Sequence, residues 1–261
     1  MQPSSVTALP GEGLFSSFAQ YREAYGAICS DMAAKVPDLR KKCFIKGTGP
    51  IATHHLKHRV SWDVDLTTRG AFDSPEPIFR KLKKAYGNRL AMDGDESCGM
   101  YQGSLRVGDL PPINVDLFSA LESISPKSTE THPLLGSIPS ISLPSYIDIK
   151  AATLNDRDDP KDVYDLCACH RVPAYETYVA ERLWRKCGLL TLGKVGNMTG
   201  NFPLESYQPK AKGFAPVTTD SLDNLHTKVE GQYSRMKVID ERRKEMRREE
   251  RIDQQFSGMG F

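Results

Sequence analysis

The sequence predicts a chain of two parts, with mixed strands and helices in the first and mainly helices in the second. Apolar and polar residues alternate over 60–66 and 113–118, the spacing of a strand with one buried face. Apolar residues instead recur every three to four positions over 14–35, 76–86 and 175–187, as in amphipathic helices. At 261 residues, the chain is long enough for two modest domains.

The composition indicates a folded protein with a polar surface. Hydrophobic residues make up 39% and charged residues 26%, and the net charge of +2 neither requires nor excludes a nucleic-acid partner. No apolar run of about 18 residues is present, so we expect no membrane span, and the N-terminus lacks the pattern of a secretory signal. The six cysteines are too sparse for a disulfide scaffold, which favours a reducing, cytoplasmic location.

The first part shows a strand, a glycine-containing turn and a short helix in succession. Cys43–Lys46 is a short apolar run that ends at residues 47–49, which we call the glycine turn. Pro50 suits the first helical position after it, because that position needs no N–H donor. Weaker strands are expected near 88–92 and 104–108.

The second part is predicted to be helical and to follow a linker. Residues 122–144 are rich in Ser, Pro and Thr and are expected to be that linker. A capping-box pattern at 145–148 predicts a helix of about ten residues, and Asp158-Asp159-Pro160 predicts the start of the next one. An extended connector is expected over 199–218 and a long helix over 219–255. The predicted boundaries are 1–140 for the first part and 141–200 for the helical part, with the connector and the long charged helix over 201–261.

Three aspartates on predicted strands indicate a metal site. Asp63 and Asp65 share one face of their strand, roughly 6.6 Å apart, because alternate side chains point the same way. Asp116 lies on another strand, and a spacing of about 4.8 Å between neighbouring strands could bring all three together. Mg²⁺ prefers one or two carboxylates together with substrate phosphates, and Mn²⁺ is an alternative. An Asp-x-Asp pair alone is also common in turns and at surfaces.

This set of carboxylates suits phosphoryl transfer. Two metal ions roughly 3.5–4 Å apart can stabilise the attacking and leaving oxygens of an in-line displacement. Asp63 and Asp65 would bridge the metals, while Asp116 would ligate the catalytic metal and help to deprotonate the attacking hydroxyl. We therefore predict these three aspartates as catalytic and metal-binding residues.

The glycine turn lies 14 residues before the first of these aspartates. Gly47 and Gly49 permit backbone conformations that are closed to other residues, and successive N–H groups in such a turn can hold an anion. Thr48 adds a hydroxyl, and Lys46 and Arg59 add positive charge nearby. A lone Gly-x-Gly usually marks only a tight turn, but its position before the aspartates favours a nucleotide-phosphate site.

Charged residues in the second part offer the other side of a cleft. Lys150 and Arg157 are seven residues apart, so they share one helix face, and Asp162 and Asp165 share a face of the next helix. In one interpretation Lys150 reaches the nucleotide triphosphate, while Lys161 and the two aspartates form the far wall. In the other, the same residues form interhelical salt bridges.

Together these motifs resemble the AbiEii/AbiGii nucleotidyltransferase-like proteins, which are toxin components of type IV toxin–antitoxin and phage-abortive systems within the polymerase-β-like superfamily. The resemblance covers roughly residues 40–170 and follows the family's order. It is carried by Lys46-Gly47-Thr48, Arg59, Ser61-Trp62-Asp63-Val64-Asp65, Asp116, Asp148-Ile149-Lys150, Arg157 and the segment from Lys161 to Leu166. The nucleotide-binding residues predicted from chemistry and resemblance together are Gly47, Thr48, Arg59, Ser61, Lys150, Lys161 and Asp162.

The resemblance implies an α/β (α+β) nucleotidyltransferase-like N-terminal domain with a mixed sheet, and a helical C-terminal domain that closes a cleft holding an NTP and Mg²⁺. The implied reaction moves an NMP group from the NTP to a nucleic-acid acceptor, such as tRNA, or to a protein. A toxin role and an antitoxin partner follow from the resemblance alone. The chain departs from the family at the glycine turn, because Gly49 stands at the fourth position, where the family carries a hydroxyl, and the hydroxyl has moved to Thr48.

Two other functions stay open. One is a catalytically silent member of the fold that binds NTP or a partner through its C-terminal arm. The other is a kinase-like or AMP-transferring enzyme that acts on a protein. The charged helix over 219–255 is expected to be a solvated arm lying on its own protein, a surface for partner docking or self-association, or an RNA contact.

Two groups of potential metal ligands are expected to serve other purposes. The histidines at 54, 55 and 58 lack a matching ligand set, which favours a surface or phosphate-facing patch. Cys167, Cys169 and His170 lack a second ligand pair at zinc-finger spacing, which favours a packed helix end.

Overall fold

The computed structural model describes residues 13–95, 99–121, 125–157, 159–188, 193 and 204–257. Within these ranges, seven strands form one mixed sheet. The strands are β1 Cys43–Ile45, β2 Asp63–Ala71, β3 Leu90–Asp95, β4 Met100–Leu105, β5 Ile113–Ala120, β6 Thr129–Thr131 and β7 Pro139–Ile141. Their order across the sheet is β3-β4-β5-β2-β1-β7-β6.

The centre of the sheet combines parallel and antiparallel pairs. β2 runs parallel to β5 and antiparallel to β1, while β1 runs parallel to β7. The hairpin of β3 and β4 extends the sheet beyond β5, and β6 closes the opposite edge against β7. The mixed sheet and its surrounding helices confirm the predicted fold class.

Most helices begin and end where local signals predict. The Ser17 side chain caps the helix Phe18–Lys35 by accepting a hydrogen bond from the Gln20 N–H. The Asp159 side chain caps the helix Pro160–His170 by accepting a hydrogen bond from the Lys161 N–H. The prediction of a helix over 76–86 is confirmed at both ends. The helices are α1 Phe18–Lys35, α2 Leu39–Lys42, α3 Thr48–Ile51, α4 Glu76–Tyr86, α5 Leu143–Asp156, α6 Pro160–His170, α7 Glu176–Cys187 and α8 Thr219–Ser257.

Several predicted bounds shift because pairing and side-chain contacts override the local pattern. The strand expected from residue 60 begins only at Asp63, since the preceding Ser61 N–H donates to the Tyr21 hydroxyl instead of to a neighbouring strand. β3 and β4 pair with each other from end to end, which moves them from 88–92 and 104–108 to their observed positions. Pro50 is the third residue of α3, not the first.

The linker prediction over 122–144 is wrong for the described residues 125–144, while 122–124 lie outside the described residues. This segment contains β6 and β7, and Ile45 of β1 pairs with Ser140 of β7. Strands of three residues are too short to show an alternation of apolar and polar side chains. The Ser and Pro residues of this segment therefore indicate a linker although it contains strands. The predicted capping box is also wrong, because α5 begins at Leu143 and leaves Ser145 inside the helix.

Two hydrophobic clusters form the core. The first packs α1 against the sheet, and the second packs α5, α6, α7 and the start of α8 together. The short helical segment 48–56 lies between them, because Ala52 belongs to the first cluster whereas Ile51 and Leu56 belong to the second. The glycine turn at the start of this segment is thereby fixed between the two clusters. The predicted domain boundaries stay a prediction.

The C-terminal part of the described chain, residues 204–257, packs on the rest of the protein at its beginning. The connector is not free, because the Phe18 N–H donates to the Lys212 carbonyl at 2.8 Å, and residues 199–203 lie outside the described ranges. Leu222, Leu225 and Val229 of α8 are buried, whereas Val238, Ile239 and Met246 are exposed. Among the α8 side chains that the structure describes, the buried apolar ones therefore lie near the start of the helix. No helix in the described ranges has the length and apolar character needed to cross a membrane.

Candidate active site

The parallel pairing of β2 and β5 brings the three predicted aspartates to one region. Asp65 and Asp116 are direct neighbours across the two strands. Asp63 lies two residues before Asp65 on the same strand, opposite Asn114, so its side chain points to the same face. All three side chains are partly exposed. The structure thus places the predicted carboxylates side by side on an accessible face of the sheet.

The carboxylates repel one another. Burial raises the pKa of Asp65 to about 7, assisted by the negative charges of Asp63 and Asp116, while Lys46 and Lys150 oppose the rise. Burial also raises the pKa of Asp116, although a hydrogen bond from Gln102 acts in the opposite direction. A bound cation would relieve this repulsion.

The donor chemistry of this region fits Mg²⁺, which takes oxygen ligands. The Ser61 hydroxyl donates to Asp63 Oδ1 at 2.6 Å and so fixes one carboxylate oxygen. Within the described residues, no group of three or more His, Cys, Asp or Glu side chains stands in a metal-binding arrangement. The carboxylates of Asp63, Asp65 and Asp116 would be the protein ligands of such an ion. Ser61, predicted to bind nucleotide, is itself buried and orients Asp63.

Gly47 of the glycine turn allows Asp65 to pack closely against it. Its φ of +39° lies in the region that favours glycine, and a Cβ built there would overlap the Asp65 carboxylate. The Lys46 N–H also donates to the Asp65 carbonyl at 2.7 Å. The turn is therefore joined directly to β2 at the carboxylates, and the exposed Lys46 side chain lies beside it.

Thr48 points into the protein and not toward solvent. Its hydroxyl lies 2.8 Å from the Tyr146 hydroxyl and accepts a hydrogen bond of 3.0 Å from Arg59 Nη2. It also donates to Asp165 Oδ2 at 3.3 Å. The hydroxyl that the sequence assigned to nucleotide binding is thus occupied by protein groups.

Asp165 is the centre of this buried network. Arg59 contacts it through both ends of its fork, with Nε 2.7 Å from Oδ1 and Nη2 2.9 Å from Oδ2. Tyr146 donates to Oδ2 at 2.8 Å, and His58 Nε2 lies 2.9 Å from Oδ1. Burial alone would raise the pKa of Asp165, but the charges of Arg59 and Lys150 outweigh burial and hold the pKa well below its usual range.

The helical side forms the salt bridges that the second interpretation predicts. Lys150 Nζ lies 2.7 Å from Asp162 Oδ1 and 2.8 Å from Asp165 Oδ2. Arg157 Nε pairs with Asp162 Oδ2 at 2.9 Å. Among the described residues, Lys161 stays outside this network and pairs with Asp159 at 3.8 Å. Phosphate binding by Lys150 stays a prediction, and a phosphate would have to share its ammonium group with two carboxylates.

Three residues that matter here were not among the predicted site residues. Tyr146 lies one helical turn before Lys150, a spacing that could have suggested it. The predicted surface or phosphate-facing patch includes His58, and for this residue the prediction is wrong, because His58 is fully buried against Asp165. Tyr25 of α1 lies against Gly49, and no local signal connects two residues so distant in sequence.

The other histidines and cysteines that the sequence offers as potential metal ligands contact other groups of the protein. The rings of His54 and His132 meet edge to face, 3.6 Å apart, and His55 Nε2 lies 2.5 Å from Glu130 Oε1. Cys167, Cys169 and His170 are buried in α6, the packed helix end that the sequence predicts.

No family model and no curated protein matches the chain. Among solved structures, JHP933 from Helicobacter pylori is similar with a TM-score of 0.56 at 12% identity, over 90% of this chain and 100% of that one. A candidate nucleotidyltransferase from H. pylori is similar with a TM-score of 0.53 at 14% identity, over 86% and 99% of the two chains.

A third structure is more distant. It is MenT4, a nucleotidyltransferase toxin from Mycobacterium tuberculosis H37Rv, with a TM-score of 0.45 at 19% identity over 81% of this chain and 87% of that one. At such identities a likeness concerns the fold, and the first two structures are the ones that establish it. The AbiEii/AbiGii subtype stays a prediction. The chain therefore has a nucleotidyltransferase-like fold.

Proposed function

We propose that this protein is a Mg²⁺-dependent nucleotidyltransferase that moves an NMP group from an NTP to a hydroxyl of a nucleic-acid or protein acceptor. The observation that carries the proposal is the pairing of Asp65 with Asp116 across parallel strands, beside a turn whose Gly47 packs against the Asp65 carboxylate. The nucleotidyltransferase-like fold supports the same reaction class.

Asp63, Asp65 and Asp116 would hold the metal. When bound, Mg²⁺ neutralises phosphate charge and polarises the phosphoryl group under attack. Asp116 is suited to accept the proton of the attacking hydroxyl at a carboxylate oxygen, because burial raises its pKa above the usual value for an aspartate. Ser61 holds Asp63 in place through its hydroxyl. The exposed Lys46 would attract the phosphates to the glycine turn.

The biological setting belongs to the same proposal. A toxin role with a cognate antitoxin is supported by the order of the AbiEii/AbiGii-like motifs in the sequence. A cytoplasmic location is supported by the cysteines, because the five described ones are buried thiols that take no part in a disulfide.

Label transfer tests the reaction. Purified protein is incubated with Mg²⁺, a cytosolic extract and each α-³²P-labelled NTP, and the products are resolved as RNA and protein before and after RNase treatment. We expect wild type to label an acceptor and Asp63→Asn to label none. Asp93→Asn is the matched control, since Asp93 is an exposed aspartate on β3 of the same sheet. Equal labelling by wild type and Asp63→Asn would contradict the proposal.

A catalytically silent nucleotide-binding protein is the second candidate. It is favoured by the observation that Arg59 and Lys150 are both committed to internal ion pairs with Asp165. Equilibrium titration with each NTP separates the two functions. Binding without any label transfer, in wild type and under the same Mg²⁺ concentration, would favour the silent protein.

A further inference from the structure

A buried tyrosine hydroxyl lies at the glycine turn. Tyr25 of α1 is 0% exposed, and among the described residues its hydroxyl has no partner. The neighbouring Tyr21 differs, because its hydroxyl donates to the Ser61 carbonyl at 3.1 Å and accepts from the Ser61 N–H at 3.3 Å. The two tyrosines thus lie one turn apart on the same helix and are equally buried, but among the described residues only the Tyr21 hydroxyl has hydrogen-bond partners.

The Tyr25 hydroxyl occupies the place where a side chain on Gly49 would lie. A Cβ built on Gly49 would overlap the Tyr25 hydroxyl oxygen and the end of its ring. Gly49 therefore leaves space in the turn for a hydroxyl that α1 supplies. Since Gly47 on the other side of Thr48 packs against the Asp65 carboxylate, the hydroxyl lies at the same short turn as the aspartates.

The hydroxyl remains a hydrogen-bond donor at neutral pH. Burial raises its pKa well above the usual value, and Cys29, Tyr21, Asp63 and Asp65 act in the same direction. A neutral O–H group that is buried without an acceptor costs stability, and phenylalanine would fill the same space without that cost. The Tyr25 hydroxyl could therefore donate a hydrogen bond to an oxygen atom of a bound ligand.

We propose that the Tyr25 hydroxyl is a nucleotide-binding group that donates a hydrogen bond to a phosphate oxygen at the glycine turn. This inference rests on the proposed function, because it requires an NTP beside Asp63 and Asp65. The contact requires a shift of the turn, since the hydroxyl is covered by Gly49. Because residue 49 is a glycine, that shift would have to move backbone atoms but no side chain.

Replacement of one oxygen atom tests the proposal. We expect Tyr25→Phe to weaken Mg²⁺–NTP binding about tenfold or more, the loss typical of a hydrogen bond to a charged group, while its melting temperature stays unchanged or rises. Tyr86→Phe is the matched control, because the hydroxyl of the buried Tyr86 of α4 donates to Asp31 Oδ2 at 2.8 Å. It removes a hydroxyl that is already satisfied, so it should lower the melting temperature and leave the NTP dissociation constant within about twofold.

Titration calorimetry with inorganic tripolyphosphate locates the contact. If the hydroxyl binds phosphate, Tyr25→Phe weakens tripolyphosphate binding by the same factor as NTP binding. Unchanged affinity in Tyr25→Phe, with wild type binding NTP, would overturn the tyrosine inference and leave the proposed function intact. Absence of NTP binding by wild type would overturn both.

Discussion

The replacement Asp165→Asn removes the charge at the centre of the buried network. Asp165 is 0% exposed and compensates both Arg59 and Lys150. Breaking a buried pair leaves an uncompensated charge, at a cost of about 3–5 kcal/mol. We expect about 3 kcal/mol, the lower end, because Asp162 still pairs with Lys150 at 2.7 Å and asparagine can accept one hydrogen bond. In a chain of this size that corresponds to roughly 6–12 °C in melting temperature.

Urea unfolding at pH 7.5 measures this loss. Asp148→Asn is the matched control, because Asp148 lies on α5 and pairs with Arg182 at 2.9 Å, but its side chain is 39% exposed. An exposed pair contributes about 0–1 kcal/mol, so this control should unfold almost as wild type does. If the two variants lose similar, small amounts of stability, the network does not join the glycine turn to α5 and α6 as described.

The pH dependence gives an independent check on Asp165. Its pKa is depressed in the folded protein, so its contribution to stability is present above the usual value of 3.8 and is lost as the pH falls below it. The difference between wild type and Asp165→Asn should therefore be constant near neutral pH and shrink in acid. A difference that grows below pH 4 would refute the assignment of a paired, charged carboxylate.

Three further replacements examine the turn and its helix. Gly47→Ala places a Cβ against the Asp65 carboxylate, so titration should show weaker Mg²⁺–NTP binding; unchanged affinity would contradict the close packing. Thr48→Ala removes a buried, fully engaged hydroxyl, so urea unfolding should show a loss of about 1–3 kcal/mol, with NTP affinity within a few-fold of wild type. A large loss of affinity at unchanged stability would instead show that Thr48 binds nucleotide. Burial lowers the pKa of His54 to about 4, so stability should fall as the pH drops from 6.5 toward 4, and thermal melts of His54→Gln should show a smaller fall.

Local patterns were sufficient where a short stretch decides the structure. Strand alternation placed Asp63 and Asp65 on one face of β2 and Asp116 on β5, and parallel pairing then made Asp65 and Asp116 neighbours. The helix α4 and the proline-started α6 followed from periodicity and capping. These predictions succeeded because each rests on residues within one element.

Features that depend on distant contacts could not be predicted. Thr48 belongs to a turn that the sequence assigns to nucleotide binding, yet Tyr146 and Asp165 bind its hydroxyl from 98 and 117 residues further along the chain. Tyr25 reaches Gly49 from another helix. The charged residues between Lys150 and Asp165 had two equally reasonable interpretations, and only the observed distances show that they pair with one another.

The central claim is that the protein transfers the α-phosphoryl group of an NTP together with its nucleoside. The most direct measurement compares α-³²P-labelled with γ-³²P-labelled NTP in parallel reactions, with wild type and Asp63→Asn in the same extract. We predict that, above the label seen with the extract alone, wild type adds label only from the α position and Asp63→Asn adds none. Label added by wild type from the γ position would contradict nucleotidyl transfer and identify a kinase-like enzyme.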